Sequence, residues 1–240
     1  MRKSSTADAR FHFFNPDGTV AEMCGNGIRC FAKYLHDRGL VRKREMRIET
    51  LAGVKVVSLR IAGGAAVEAT VGMGAPQVRR GEAQVSGDPG GVMVNEKLVF
   101  GGLSYGVTAV GMGNPHAVVF VDDVDAVDVP SVGRIIRSSK TVFPNGVNVH
   151  FVQSSGVNEF RIRTYERGVE GETLACGTGI CASAVAAVLN GRADAAKPLM
   201  FHARGGDIKI ALEMEGHAVK AVYLTGPAET VFEGAYDYVE

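Results

Sequence analysis

No apolar run in this sequence approaches the roughly 20 residues that a membrane-spanning helix requires, so no membrane partner is expected. Charge of one sign is not in excess either: Lys+Arg and Asp+Glu both number 26. Nucleic acids and anionic membrane surfaces select a cationic excess, and its lack here argues against both as partners. The opening residues, Met1 to Asp8, are basic but have no apolar core of a secretory leader, which makes a cytoplasmic location the expectation. Cysteine is scarce, with 4 residues in 240, too few to staple a chain of this length with disulfides. Cys24 with Cys30, and Cys176 with Cys181, form two close pairs that invite a zinc reading. The C-x5-C gap of the first pair is wider than a zinc knuckle, so no metal is expected.

Helical patterns are also few. The best run from Gly27 to Arg38 and from Gly179 to Leu189, with a weaker one from Ser131 to Ser139. Strand-like runs are plentiful: 54–61, 66–71, 117–121, 148–152, 159–165 and 208–213, several alternating apolar and polar residues. Many strands and two prominent helices predict an α+β fold in which each helix packs on its own curved antiparallel sheet. Gly and Pro punctuate the chain at Met73-Gly74-Ala75-Pro76, where a boundary between halves is expected.

The two prominent helices open on one phrase. Cys24-Gly25-Asn26-Gly27-Ile28 and Cys176-Gly177-Thr178-Gly179-Ile180 both read C-G-[NT]-G-I, which favours an internal duplication. Glycines permit a tight turn and let the backbone approach a ligand closely. The helix behind presents unpaired N–H groups and the positive end of its dipole, a cradle for a carboxylate. The same environment stabilises a thiolate. Two such sites face to face would place an acid and a base on opposite sides of one carboxylate-bearing carbon. One thiolate could take the α-proton while the opposite thiol returns another. A lone buried cysteine is more often a small apolar residue, and that plainer reading is kept for Cys30 and Cys181, which lie inside the helices.

Other polar residues stand at strand ends: Asn15 in Phe14-Asn15-Pro16-Asp17-Gly18, Asn114 and His116 in Gly113-Asn114-Pro115-His116, Asn148 after Phe143-Pro144-Asn145-Gly146-Val147, and Glu166-Arg167-Gly168 ahead of Cys176. Each alone has an ordinary turn or ion-pair explanation.

Taken in order over nearly the whole chain, these phrases resemble the diaminopimelate epimerase family of pyridoxal-independent two-cysteine racemases. The C-G-x-G phrase by itself points only to the wider group that includes proline racemase-like and phenazine-biosynthesis isomerase-like enzymes. The resemblance implies two pseudo-symmetric domains, 1–75 plus 227–240 and 76–226, each a β-roll around a central helix, with Gly226 to Phe232 as the strand returning to the first domain. It implies interconversion of LL- and meso-2,6-diaminopimelate in lysine biosynthesis. Cys24 and Cys176 would be the acid/base pair, assisted by His116 and Glu166. Gly25, Asn26, Gly177 and Thr178 would hold the reacting carboxylate, and Asn15, Asn114, Asn148, Glu166 and Arg167 the rest of the substrate. No cofactor is expected, since no lysine sits in a pyridoxal-site context, and a homodimer is compatible with the sequence. Relatives carry a Gly-Asn-Asp-Phe-like segment ahead of the Phe-Asn-Pro-Asp-Gly phrase, absent here, so the first domain is expected to lack strands and part of the pocket. The competing readings are a racemase or isomerase of the same group acting on another amino acid, and a truncated ligand-binding form without turnover.

Overall fold

The computed structural model describes residues 3–14, 18, 20–21 and 23–235. In chain order they form β1 (Ala9–Arg10), β2 (Phe13–Phe14), β3 (Val20–Ala21), α1 (Gly25–Asp37), β4 (Glu45–Thr50), β5 (Gly53–Ala62), β6 (Ala65–Gly74), β7 (Glu96–Phe100), β8 (Leu103–Gly111), β9 (Pro115–Phe120), α2 (Val129–Arg137), β10 (Asn148–Gly156), β11 (Glu159–Glu166), β12 (Gly171–Thr173), α3 (Gly177–Leu189), β13 (Leu199–Ala203), β14 (Gly206–Glu215) and β15 (Ala218–Pro227). The α+β reading holds. The six strands and three helices expected from periodicity are present, with the two cysteine helices starting two residues earlier than expected, at Gly25 and Gly177.

The strands join into one 13-stranded sheet in the order β1-β4-β5-β6-β15-β14-β13-β11-β10-β9-β8-β7, with β12 added on β11, while β2 and β3 pair separately. Most neighbours are antiparallel, but β1–β4, β9–β10 and β11–β13 run parallel. β15 is the seam. It pairs antiparallel with β6 on one side and β14 on the other, and so ties the last strand among the described residues to the β4–β6 meander. The strand that returns toward the first half is therefore Ala218–Pro227, and residues 228–232, expected to continue it, lie outside any strand.

Burial explains why each helix sits where it does. α1 buries Ile28, Arg29, Ala32 and Leu35, an i, i+4, i+7 stripe, and leaves Cys30 and Tyr34 outward. α3 buries every residue from Gly179 to Ala187, the pattern of a helix enclosed on all sides. Ile28, Ile180, Val222 and Leu224 belong to one buried cluster, so α1, α3 and the seam strand share a core. α2 is capped by the Asp128 carboxylate, which accepts from Ser131 N–H at 3.2 Å, and it belongs to a second cluster with Phe143, Phe151 and Tyr165. Among the described residues no helix is long and apolar enough to cross a membrane.

Candidate active site

The two helices meet at their first residues. A Cβ placed on Gly25 would lie 3.6 Å from Gly177 Cα, and one on Gly177 would lie 3.5 Å from Gly25 Cα and 3.4 Å from Leu224 Cδ1. Cys24 and Cys176 each precede this contact by one Cα step of about 3.8 Å. Both are N-cap residues in extended conformation, with φ −136° and −116°. The arrangement brings two helix N-termini and their positive dipole ends together, with one cysteine immediately before each.

The equivalence of the phrases ends there. Cys24 is half-buried, and its Sγ accepts from Gly27 N–H at 3.3 Å. Gly27 has little room for a side chain: a Cβ would meet the Phe11 ring at 3.0 Å and Cys24 Sγ at 3.4 Å. Cys176 is buried and makes no such cap. Its Sγ lies 3.5 Å from Thr178 Oγ1. Burial, then the charge of the neighbouring Glu166 carboxylate, push the thiol up to about 12, against smaller opposing effects of the Thr178 hydroxyl and the Gly179 N–H. The expectation that a helix start lowers the thiol pKa therefore fails for Cys176, because desolvation outweighs the helix end. Glu166 reaches the sulphur from the end of β11, and its carboxylate also accepts a short hydrogen bond from Thr173 Oγ1 on β12. Cys30 is exposed on α1, and Cys181 is buried in α3 with its thiol pushed up by desolvation.

Asn26 is held by Arg29, whose Nη1 donates to its Oδ1 at 3.1 Å and to Gly25 O at 3.2 Å, and whose Nε reaches Pro227 O at 3.4 Å. Arg29 is buried, and the desolvation lowers its pKa. It thus clamps the end of the seam strand to the first turn of α1.

On the other side, parallel pairing sets His116 opposite Asn148. Asn148 is buried, and its amide is largely used within the scaffold. Nδ2 donates to Pro115 O at 3.1 Å, and Oδ1 accepts Arg167 N–H at 2.9 Å. The Asn-Pro-His loop and the Glu-Arg-Gly turn are thereby joined. Arg167 Nη1 donates to Asn145 O at 3.0 Å, a neutral partner. His116 is buried with Nε2 2.8 Å from Asn114 Oδ1. Burial, His150 and Arg167 hold its pKa well below the ordinary imidazole value, so it is neutral. Asn15 lies outside the described residues. Among the described residues no group of three or more His, Cys, Asp or Glu side chains is clustered to hold a metal ion.

Three contributors were not singled out in the sequence. His150 packs against Gly179 and bonds His116; Thr164 bonds His150; Arg29 holds Asn26. A signal for His150 existed, since a strand alternates its faces and residues 148 and 150 share one.

The fold has solved counterparts. A probable proline racemase from Agrobacterium radiobacter superposes with TM-score 0.71 at 18% identity, over 99% of this chain and 74% of that one. A hydroxyproline epimerase from Agrobacterium vitis gives 0.66 at 18%, over 95% and 70%. The architecture is thus that of the proline racemase-like epimerases. Sequence comparison narrows the class. A family model described as diaminopimelate epimerase matches residues 1–79 and 108–231. A diaminopimelate epimerase of Pelotomaculum thermopropionicum is 46% identical over 98% of this chain and 81% of its own length. One from Bacillus licheniformis is 41% identical over 97% and 80%. The chain belongs to the diaminopimelate epimerase family, and is an isomerase.

Proposed function

We propose that this chain interconverts LL- and meso-2,6-diaminopimelate, a step of lysine biosynthesis, by two-base proton transfer between Cys24 and Cys176. The observation that carries the reading is the meeting of the two C-G-x-G turns at Gly25 and Gly177, with one cysteine before each. The substrate α-carboxylate lies against the paired helix N-termini, where backbone N–H groups of both turns and the Asn26 and Thr178 side chains can donate to it. One sulphur, as thiolate, takes the α-proton as the Cα–H bond breaks. The electron pair passes into the carboxylate, whose developing charge the helix ends stabilise. The opposite thiol then gives its proton to the other face, leaving the first cysteine as thiol and the second as thiolate. Burial and the Glu166 charge favour the thiol form of Cys176, which suits it to give the proton for one substrate hand, and for the other hand the two cysteines exchange roles. The family resemblance assigns Asn15, Asn114, Asn148, Glu166 and Arg167 to the rest of the substrate, and Glu166 and Arg167 supply the charges that a distal ammonium and carboxylate need.

The balanced charge supports a small-molecule substrate with no nucleic-acid partner, and a cytoplasmic setting is part of the same proposal. The division into 1–75 plus 227–240 and 76–226 is part of the same proposal. It is supported by the packing of α1 on β5 and β6, and of α3 on β8, β9, β10 and β14, with β15 shared.

The test is α-proton exchange in deuterated water. Exchange into LL-diaminopimelate, with none into proline or a buffer blank, supports the reading. Exchange into proline alone would favour another substrate, and none into either would favour a binding form without turnover.

A further inference from the structure

His150 takes no part in the mechanism above, yet it is fully buried in the middle of the site. Its Nε2 lies 2.9 Å from His116 Nδ1, and its Nδ1 lies 2.9 Å from Thr164 Oγ1. His116 Nε2 in turn lies 2.8 Å from Asn114 Oδ1. Four side chains from three strands and a loop therefore form one unbranched chain of hydrogen bonds. A Cβ on Gly179 would fall 2.0 Å from His150 Cε1, so the imidazole rests directly on the first turn of α3. That turn is the one whose Gly179 N–H faces Cys176.

We infer that His150 is a positioning residue, which fixes the tautomer of His116 and through it the orientation of the Asn114 amide. A neutral imidazole has one donor and one acceptor nitrogen. Asn114 Oδ1 can only accept, so His116 carries its proton on Nε2 and its Nδ1 must accept. The donor to Nδ1 is then His150 Nε2–H, and His150 Nδ1 accepts from the Thr164 hydroxyl. Burial supports the neutral state of both rings: it pushes His150 down to about 3, and His116 is lowered by burial, by His150 and by Arg167. With Oδ1 engaged, the Asn114 NH2 group is left to donate to an anionic group such as a substrate carboxylate. Reversing any one member reverses all, because each ring passes on the direction it receives. The inference rests on the reading that Asn114 and His116 face the substrate.

The experiment compares wild type, His150→Leu, His150→Gln and Thr164→Val in the full chain, by histidine side-chain nitrogen NMR and steady-state kinetics with LL-diaminopimelate. Wild type should show His116 protonated at Nε2. Leucine removes the donor to Nδ1, so His116 should lose its single tautomer, and KM should rise on the order of tenfold while kcat changes less. Glutamine places an amide N–H where Nε2–H stood, and should restore both the tautomer and KM. Thr164→Val keeps the core volume and serves if the leucine variant does not fold: His150 should lose its single tautomer. A wild-type His116 protonated at Nδ1 overturns the inference. So does a leucine or valine variant with an unchanged tautomer, or a fall in Tm shared by leucine and glutamine with KM unaltered. Failure of wild type to exchange the α-proton would sink the functional reading instead, and leave the tautomer result to stand by itself.

Discussion

Gly179→Ala sets two expectations against each other. In a generic helix the change stabilises by about 1 kcal/mol, because alanine has the higher propensity. Here the new Cβ would lie 2.0 Å from His150 Cε1, 2.6 Å from Nε2 and 2.7 Å from Nδ1. Three atoms of one ring cannot all be avoided by a small rotation, so the ring must move away as a body. Its two ring hydrogen bonds, to His116 and Thr164, oppose that. Overpacking a core costs typically 1–3 kcal/mol, and leaving a buried polar group unpaired costs about 1–3 more. After the propensity gain the variant should be destabilised by roughly 1–5 kcal/mol, a Tm lower by about 2–20 °C for a domain of this size.

Gly25→Ala is the internal control. Its Cβ would meet Gly177 Cα at 3.6 Å and two side-chain carbons at 3.9 Å, ordinary contact distances. Its Tm should change little, while kcat/KM should fall, because the methyl group intrudes on the turn proposed to receive the carboxylate. Thermal unfolding of the two variants decides the matter, together with Gly179→Ala in a His150→Ala background. Removing the ring should abolish most of the alanine penalty, a coupling visible in the double-mutant cycle. A Gly179→Ala protein as stable as wild type, or a penalty undiminished without His150, would refute the steric argument.

Cys24→Ser and Cys176→Ser should lose overall epimerisation, and deuterium wash-in to LL- and meso-diaminopimelate should show opposite preferences in the two. Equal loss for both isomers, or equal damage from Cys30→Ser and Cys181→Ser, would count against the assignment. Because the neighbouring carboxylate adds to burial in raising the Cys176 thiol, Glu166→Gln should speed alkylation of Cys176 at pH 8–9; an unchanged rate followed by peptide mass spectrometry would dissociate the two groups. Asp37 should support acid stability. Burial alone would raise its pKa, but hydrogen bonds from Lys33, Ala66 N–H and His36 outweigh that and bring it to about 2. Its contribution is thus present above the unfolded carboxylate value near 4 and is lost as pH falls toward 2. Asp37→Asn should lower Tm at pH 6 and lose that difference near pH 2.

What the sequence made legible follows from what is local. The cysteine helices announce themselves through a glycine phrase followed by apolar periodicity, and glycine at the helix start is a local requirement. The reason for that glycine was not local. Close approach of backbone to a ligand was the natural expectation at residue 179, whereas the structure puts a buried imidazole there. β4 and β15 are not among the strand runs read from the sequence, although Met46, Ile48 and Thr50, then Val222 and Leu224, alternate inward. What no local pattern contains is that β15 would lie between β6 and β14, because strand order is a property of long-range pairing. β8 is masked differently. Gly106 interrupts its pattern, and the Asn95 side chain lies against it, with Oδ1 2.1 Å from where a Cβ would stand.

The inequality of the two cysteines has the same origin. Their phrases are near-copies, and each sulphur sits at an N-cap, so a reading of the repeat assigns them the same electrostatics. The difference arrives with a strand from elsewhere: β11 carries Glu166 to the edge of the α3 turn, and β12, paired to β11, fixes that carboxylate through Thr173. A negative charge beside a buried sulphur favours the protonated thiol. In the proposed two-base inversion each cysteine is donor for one substrate hand and acceptor for the other, so the carboxylate shifts the balance between two protonation states without removing either. The duplicated turn supplies what the two phrases share, and the carboxylate on β11 distinguishes one thiol from the other.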